Sequence, residues 1–250
     1  LYPLASSRSA GKSVQFRGKH HTVQDLSTFD FSQTPIGLFS AGGDISAEYA
    51  PIAASAGCVV IDNTSHFRRD EDIPLVIPEV NPEAIAGYRS RGIIANPNCT
   101  TMQLVMCLKP IHDQWTIKRG VVNTYQSVTG TGQAAVAQLE AERQGLEAQR
   151  VYPHPIHNNC LPHCDDFQDN GYTREEMKVH HETKKIMGDD AIQLSCTAVR
   201  VPVMGGHSES VFLELDRDFE LSEVRKALGA FPGVVVEDEP RKKRYPMPLH

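Results

Sequence analysis

The stretch Ala95-Asn96-Pro97-Asn98-Cys99-Thr100-Thr101-Met102 marks a junction between a strand and a helix. Apolar residues lead into it, and Pro97 interrupts the strand. Asn98 is a favourable N-cap, so a helix is predicted to begin at Cys99. Free N–H groups and the helix dipole stabilise a thiolate there, which predicts a reactive thiol with a lowered pKa. The alternative interpretation of this cysteine is a small buried filler.

Upstream of this junction, short apolar runs alternate with a helical pattern. A strand is predicted to end at residues 3–5, and further strands are predicted over 35–40, 58–62, 74–77 and 92–95. A helix is predicted over 46–56. Alternation of strands and helices favours an α/β layer around a mainly parallel sheet.

Downstream of the junction the pattern changes to longer elements. Helices are predicted over 98–109, 132–150, 173–187 and 222–231, and strands over 121–128, 192–203 and 208–216. Thr173 and Glu176 have the spacing of a capping box at the start of one helix. Long strands separated by turns favour an α+β domain with an antiparallel or mixed sheet.

Composition and charge are typical of a globular protein. Of the 250 residues, 40% are hydrophobic and 22% are charged. Apolar runs such as 57–61 are far shorter than the roughly 20 residues that a membrane helix needs. The net charge of −6 argues against general nucleic-acid binding, and the basic run 241–244 is interpreted as a solvated loop. We therefore expect neither nucleic acid nor a membrane as a partner.

Six cysteines are spread along the chain without a CxxC pair. A chain of this length builds a core without disulfides, so free thiols in a reducing cytoplasm are expected. Cys58 and Cys107 lie in apolar runs and are interpreted as core residues. Zinc binding is an alternative function of the segment 154–164, although its spacing fits no closed finger and no metal is predicted. The candidate ligands there are His154, His157, Cys160, His163 and Cys164.

Several motifs, in order along the chain, resemble those of the aspartate-semialdehyde dehydrogenase family. The segment 96–101 resembles its active-site signature, and further matches lie at 38–43, 60–65, 78–82, 124–130, 175–178 and 206–209. The resemblance implies a partial Rossmann-like NADP-binding domain over 1–98 and a partial catalytic and dimerisation domain over 99–250, in a cytoplasmic homodimer. It also implies a glycine-rich loop before Leu1 and further elements after His250.

The resemblance implies NADPH-dependent reductive dephosphorylation of β-aspartyl phosphate to aspartate semialdehyde, in the biosynthesis of lysine, threonine and methionine. Cys99 matches the family's nucleophile, which forms a thioester and releases phosphate. His207 matches its acid/base histidine, since an imidazole titrates near neutrality and can accept the thiol proton. Gln126 matches the glutamine that positions the acyl intermediate.

Substrate-binding residues are also assigned by the resemblance. Arg200 matches the arginine that binds the substrate carboxylate, for which a planar guanidinium is suited. Glu175 and Lys178 share one face of a predicted helix, where an exposed ion pair is the alternative interpretation. The family uses the glutamate for the substrate amine and the lysine for phosphate. The other phosphate contacts are assigned to Arg68, with Arg69 as its alternative, and to Asn98.

Cofactor contacts are predicted in several loops. Arg8 stands between serines after a predicted strand, which suits the 2'-phosphate that distinguishes NADP from NAD. A small-residue loop at 41–43 lets the backbone approach a ligand closely. The predicted cofactor-binding residues are Ser7, Arg8, Ser9, Ala41, Gly42, Gly43, Ser127 and Gly130.

Two other functions stay open on the sequence alone. N-acetylglutamyl-phosphate reductase and glyceraldehyde-3-phosphate dehydrogenase also pair a cysteine and a histidine with a nicotinamide cofactor. A truncated, non-catalytic relative that keeps only an oligomerisation surface is the other alternative. The local motifs favour the aspartyl substrate.

Overall fold

The computed structural model describes residues 1–249 of the chain. Its α-helices are α1 (Gly43–Ser55), α2 (Cys99–Trp115), α3 (Gln133–Arg143), α4 (Arg174–Met187) and α5 (Leu221–Ala230). Its strands are β1 (Leu4–Ala5), β2 (Ser13–Phe16), β3 (Lys19–Thr22), β4 (Gln24–Asp25), β5 (Ile36–Phe39), β6 (Val59–Asp62), β7 (Ile93–Ala95), β8 (Ile117–Gln126), β9 (Gln193–Arg200) and β10 (Ser208–Leu215). Short 3-10 helices run over Leu26–Thr28, Phe31–Gln33, Pro82–Ser90, Val128–Thr131 and Pro240–Lys242.

A parallel sheet in the order β5-β6-β7 forms the first layer of the fold. Val60 on β6 and Ile93 on β7 are register partners and are fully buried, because β-branched side chains pack well in a covered sheet. Ala50 and Ala53 of α1 join the same core. The predicted α/β layer with a mainly parallel sheet is therefore confirmed.

The strand predicted over 74–77 is wrong. Only Leu75 forms a bridge, which is parallel to Ala95 at the end of β7. The pairing with Ala95 uses Pro74 O and Val76 N. The side chain of Asn81 occupies the opposite edge of the segment. Its Oδ1 accepts a hydrogen bond from Ile77 N at 2.8 Å, and its Nδ2 donates to Leu75 O at 2.9 Å. A side chain therefore satisfies backbone groups that a neighbouring strand would otherwise bind.

A mixed sheet in the order β10-β8-β9 forms the second half of the fold. β8 runs parallel to β9 and antiparallel to β10, which confirms the predicted mixed sheet. Because β8 lies between them, the turn at 204–207 carries the chain across the end of β8. One face of the sheet packs against α2, α4 and α5, which contribute Leu108, Val179 and Ala227 to a second buried core.

Two helices differ in length from their predictions. α2 begins after the N-cap Asn98, as predicted, but continues past residue 109 to Trp115. α3 ends at Arg143 instead of reaching residue 150. Gly145 follows with a φ of 69°, a conformation that favours glycine and stops a helix.

A hairpin of β2 and β3 was not predicted. Its side chains are almost all exposed, so the sequence shows no alternation of apolar and polar residues. The turn between the strands contains Arg17 and Gly18, both with positive φ. Among the helices within residues 1–249, none combines the length and the apolar character that crossing a bilayer requires.

Candidate active site

A cleft of about 830 Å³ is lined by the ends of β8 and β9, by the start of α2 and by α4. Gln126 and Arg200 close the two strands and are register partners. Because parallel strands end on the same edge of a sheet, their side chains meet there. The predicted site residues that this cleft brings together are Arg68, Asn98, Cys99, Gln126, Gly130, Glu175, Lys178, Arg200 and His207.

Cys99 and His207 form the pair of reactive groups in the cleft. Cys99 is the first residue of α2, and its side chain is exposed. Its Sγ lies 3.4 Å from Nε2 of His207, which immediately precedes β10. A thiol and an imidazole at this distance satisfy the geometric requirement for a nucleophile with an acid/base partner.

The prediction that the pKa of Cys99 is lowered is wrong. Desolvation by the surrounding protein, followed by the charge of Glu175, raises the pKa of this thiol, and hydrogen bonds from Thr100 offset the rise only in part. Asn98 Oδ1 already accepts from the backbone N–H groups of Thr100 and Thr101, at 2.9 and 3.3 Å. The helix start is therefore less available to a thiolate than the sequence suggests.

A backbone contact sets the tautomer of His207. Ser127 N donates to Nδ1 at 3.0 Å, so a neutral ring carries its proton on Nε2, which faces the sulfur. Burial, followed by the charge of Arg200, lowers the pKa of His207 and keeps the ring neutral at pH 7. In this arrangement the imidazole donates a hydrogen bond toward the sulfur, whereas accepting the thiol proton requires the other tautomer.

Glu175 is the buried carboxylate of the cleft. It lies in the first turn of α4, which begins with the predicted capping box. Its Oε1 accepts hydrogen bonds from Nδ2 of Asn98 and Nε2 of Gln126, each at 3.0 Å. Burial alone would raise the pKa of Glu175. Lys178 and these hydrogen bonds outweigh burial, so the pKa lies below its usual range and the carboxylate is charged.

Lys178 and Arg68 are already paired with carboxylates. Lys178 Nζ donates to Asp165 Oδ2 at 2.7 Å and to Glu175 Oε2 at 3.2 Å. Burial would lower the pKa of Lys178, but the two carboxylates raise it above its ordinary value. Arg68 donates from Nη1 to Glu182 Oε1 at 3.2 Å and from Nη2 to a backbone carbonyl at 2.9 Å. An anion that reaches either cation must compete with these partners.

Arg200 and His207 lie side by side against Gly130. Nη1 of Arg200 donates to the Ser127 carbonyl oxygen at 2.6 Å, and its buried Nε has no hydrogen-bond partner within residues 1–249. A Cβ at Gly130 would stand 3.2 Å from Nη1 of Arg200 and 3.1 Å from Cε1 of His207. The absence of a side chain at Gly130 therefore leaves both groups in place.

Comparison with known proteins decides the family. Two family models match: "Semialdehyde dehydrogenase, NAD binding domain" over residues 1–88 and "Semialdehyde dehydrogenase, dimerisation domain" over 108–250. The aspartate-semialdehyde dehydrogenase of Shewanella violacea is 56% identical over 239 residues, which are 94% of this chain and 71% of that protein. The chain belongs to the aspartate-semialdehyde dehydrogenase family. It is therefore a member of a family of oxidoreductases with a nicotinamide-binding domain.

Other aspartate-semialdehyde dehydrogenases support the same family assignment. The Legionella pneumophila enzyme is 55% identical and covers 98% of this chain and 72% of its own length. A crystal structure of aspartate semialdehyde dehydrogenase II from Vibrio cholerae complexed with ASA has a TM-score of 0.90 at 51% identity, covering 93% of this chain and 70% of its own. The Candida albicans enzyme with NADP has a TM-score of 0.71 at 25% identity, covering 92% and 69%. These matches do not favour the other acyl-phosphate reductases.

Three polar residues around the site of this family member were not predicted. Glu182 accepts from Asn98 N at 2.6 Å and lies on the same face of α4 as Glu175, so helical spacing could have indicated it. Thr100 Oγ1 donates to Glu175 at 3.3 Å. Asp165 stands in a loop with a φ of 66° and gives no periodic signal in the sequence.

The predicted cofactor-binding residues lie mostly outside the cleft. Residues 7–9 form part of an exposed turn after β1. Residues 41 and 42 lie between β5 and α1, and Gly43 is the first residue of α1. Gly42 is the N-cap of α1, with a φ of 112° and no side-chain cap. Gly130 lines the cleft, and Ser127 contacts the ring of the reactive histidine.

The segment 154–164 shows no arrangement of metal ligands. Within residues 1–249, no group of three or more His, Cys, Asp or Glu side chains is placed to hold a metal ion. His163 stacks on Phe167, with ring centroids 4.6 Å apart. Burial raises the pKa of Cys164 to about 11, which opposes the deprotonation that metal binding needs.

The variant Gly130→Ala is expected to lower kcat/KM by about 10- to 100-fold while the protein stays folded. The new methyl group would displace both Arg200 and His207, whereas the backbone at Gly130 lies outside the positive-φ region and accepts alanine. Steady-state kinetics and a thermal melt measure the two effects. Gly87→Ala is the matched control, because its Cβ would meet Pro74 at an ordinary 3.6 Å. Unchanged kinetics for Gly130→Ala would contradict the packing argument.

Proposed function

We propose that this chain catalyses NADPH-dependent reductive dephosphorylation of β-aspartyl phosphate to aspartate semialdehyde, in the biosynthesis of lysine, threonine and methionine. The supporting observation is the 3.4 Å contact between Cys99 Sγ and His207 Nε2. The same cleft holds a charged carboxylate and the cationic side chains of Arg68, Lys178 and Arg200. This set matches a substrate that carries an acyl phosphate, a carboxylate and an ammonium group.

The acyl-transfer step uses the sulfur of Cys99. Its proton leaves to solvent, and the sulfur attacks the acyl carbon; a C–S bond forms and the C–O bond to phosphate breaks. The phosphate takes the electron pair of that bond and leaves toward Lys178 and Arg68. His207 assists by donating from Nε2 to the developing oxyanion on the acyl oxygen. After hydride addition to the thioester carbon, the same N–H protonates the oxygen of the thiohemiacetal on Cys99. That proton then returns to Nε2 as the C–S bond breaks, the sulfur leaves as a thiolate and the aldehyde is released.

Recognition of the aspartyl part is assigned to Arg200 and Glu175. Arg200 lines the cleft and is otherwise buried, so a substrate carboxylate that reaches its guanidinium would gain a charge-assisted hydrogen bond. Glu175 is charged and accepts bonds from Gln126 and Asn98, which fix its orientation. A substrate ammonium beside it would find a preorganised anion.

We propose NADP as the nicotinamide cofactor, which supplies the hydride when bound. Arg8 is exposed in the turn after β1, flanked by Ser7 and Ser9, and is available to a 2'-phosphate. The loop of Ala41, Gly42 and Gly43 fits a ligand, because a Cβ at Gly42 would find open space within 4 Å. Near the reactive pair, Ser127 and Gly130 complete the proposed contacts.

The variant Arg8→Gln is expected to raise KM for NADPH by about 10- to 100-fold and to leave KM for NADH unchanged. The reason is the loss of a hydrogen bond to a charged phosphate, worth about 1.5–3 kcal/mol. Initial rates with each cofactor provide the measurement. Arg17→Gln, an exposed arginine in the turn of the β2–β3 hairpin, is the control. Equal changes in KM for both cofactors would assign Arg8 a role unrelated to the 2'-phosphate.

The proposed substrate is tested by phosphate-dependent oxidation of candidate aldehydes. Aspartate semialdehyde, N-acetylglutamate semialdehyde and glyceraldehyde 3-phosphate are each supplied with phosphate and NADP, and NADPH is followed by absorbance. We expect the first aldehyde to be oxidised with the highest kcat/KM. A preference for either of the others would reject the aspartyl assignment.

We further propose two domains over 1–98 and 99–250 in a cytoplasmic protein. Two of the three buried clusters support the boundary. One surrounds β5, β6 and β7 and also receives Val105 and Ile186, and the other lies between the mixed sheet and its helices. All six cysteines are free thiols. A nucleophilic thiol such as that of Cys99 needs a reducing compartment, for which the cytoplasm is the usual case.

The outward face of the mixed sheet is the proposed homodimer surface. Val121 and Tyr125 of β8 and Phe212 of β10 are 38%, 46% and 68% exposed there. Contiguous exposed apolar groups of this kind are typical of an interface. The match of residues 108–250 to a dimerisation domain supports a dimer formed through this half of the chain.

The variant Phe212→Asp is expected to convert the dimer to monomer at micromolar concentration, because a charge would be buried without a partner. Sedimentation velocity measures the mass. Phe16→Asp, at a 48% exposed phenylalanine on the β2–β3 hairpin, is the control and should remain dimeric. A dimer that survives Phe212→Asp would place the interface elsewhere.

A further inference from the structure

A small side pocket of about 170 Å³ opens beyond the phosphate-binding part of the cleft. It shares the lining residues Ser65, Arg68 and Lys178 with the cleft, so the two spaces are adjacent. Its own lining includes the basic side chains of Arg69, Arg174 and His181, which the proposed reaction does not use. It also includes the carboxylate of Glu182, which is paired with Arg68. The side pocket therefore adds a second group of basic side chains outside the reaction centre.

The inner cations of this region are already compensated. Lys178 lies within 3.2 Å of both Glu175 and Asp165, and Arg68 lies within 3.2 Å of Glu182. A phosphate that approaches from solvent must displace these carboxylates before it can form an ion pair with either cation. The inner group alone is thus poorly arranged to capture an incoming anion.

The outer cations, Arg69 and Arg174, are much less neutralised by nearby carboxylates. Within residues 1–249, Arg69 forms no ion pair, and Arg174 has only Asp166, at 3.6 Å. The side chains of Arg174 and Asp166 are 61% and 76% exposed, so their interaction is screened by water. Arg69 and His181 line the same pocket, and burial, followed by the charge of Arg69, lowers the pKa of His181.

The loop that carries Arg68 and Arg69 is fixed to α4. Lys185 Nζ donates to three carbonyl oxygens of this loop, those of Arg68, Asp70 and Ile73, at 3.0, 2.6 and 2.8 Å. The two arginines therefore project from a rigid backbone. Preorganised donors bind an anion at a lower entropic cost than mobile surface side chains.

We propose that the side pocket is a second oxyanion site, which binds inorganic phosphate through Arg69 and Arg174 outside the reaction centre. Guanidinium groups suit tetrahedral oxyanions because they present several donors in a fixed plane. The choice of phosphate rests on the proposed function, in which phosphate leaves past Lys178 and Arg68. In this position the site receives the released phosphate, and in the reverse direction it concentrates phosphate beside the acyl enzyme.

The test counts bound phosphate by isothermal titration calorimetry with inorganic phosphate and the full chain. The wild type is expected to bind two phosphates. The double variant Arg69→Gln, Arg174→Gln should bind one, with affinity at the outer site lowered at least about tenfold. Arg217→Gln, Arg225→Gln removes the same charge from exposed arginines elsewhere and should keep both sites.

A separate variant distinguishes this site from the proposed reaction. Arg68→Gln removes a cation that lines both spaces. It should abolish binding at the inner site and leave one phosphate bound through Arg69 and Arg174, even where aldehyde oxidation is lost. A single phosphate in the wild type, abolished by Arg68→Gln, would overturn the proposal. Two phosphates in the double variant would overturn it as well. Neither readout depends on turnover, so failure of the proposed reaction is recognised separately in the aldehyde assay.

Discussion

Cys99→Ala is expected to lower kcat by about 10⁴-fold or more, the largest effect of any single substitution in this chain. Removing the sulfur removes the atom that forms the thioester, and no neighbouring side chain can replace it. The position is the first residue of α2 and is exposed, so alanine is tolerated by the fold. Steady-state assays and circular dichroism measure activity and folding.

Cys107→Ala is the matched control for this experiment. Cys107 lies on the same helix and is exposed, so its interpretation as a core residue is wrong. Partial desolvation, followed by the charge of Glu209, raises the pKa of its thiol. It does not line the cleft, so activity should be unchanged. Mass spectrometry of the wild type with an acyl phosphate should show an adduct on Cys99. Turnover that persists in Cys99→Ala would exclude the thioester route.

His207→Gln is expected to lower kcat by about 10²- to 10⁴-fold, because the proton donor on Nε2 is lost. The pH profile is the sharper measurement. Protonation of Nδ1 would set a ring N–H against Ser127 N–H, so only the neutral ring fits this contact. Because the pKa of His207 is lowered, wild-type kcat/KM should hold at pH 6.5 and decline only below it, as the ring becomes charged.

The control for His207→Gln is His20→Gln, at an exposed histidine of the β2–β3 hairpin that should leave the profile unchanged. In His207→Gln the acid decline should disappear along with most of the activity. The raised pKa of Cys99 gives a second pH-dependent prediction. The rate of alkylation of this thiol should still increase above pH 9.0. An alkylation rate that levels off well below pH 9.0 would show a thiolate stabilised more strongly than this structure indicates.

Local chemistry made part of the fold predictable from the sequence. The N-cap Asn98 and the capping box of α4 act over a few residues, so their residue types suffice to place both helix starts. The segment 74–77 pairs with β7 only around Leu75, and the Asn81 side chain, several residues later, takes the backbone hydrogen bonds of its other edge, which the apolar pattern of the segment does not show. The exposed β2–β3 hairpin lacks the apolar alternation on which strand prediction depends.

In the site, too, the features set by neighbouring residues are predictable from the sequence, and those set by residues distant in sequence are not. The junction around Cys99 predicts where the sulfur lies, but its pKa depends on desolvation and on Glu175, which is distant in sequence. The tautomer of His207 depends on the backbone N–H of Ser127. Every residue except proline has such a group, so the sequence does not indicate this contact. Asp165 pairs with Lys178 from an irregular loop, and only the folded chain shows that contact.

The register between β8 and β9 fixes the relative position of two site residues. Gln126 and Arg200 are paired across these strands, and both side chains are buried on the same side of the sheet. A slip by a single residue would turn one of them to the opposite surface. A shift in register therefore removes one of these two residues from the site, and we expect it to abolish activity instead of slowing the enzyme or broadening its specificity. On heating, activity and amide-exchange protection in β8 should vanish together, in one event.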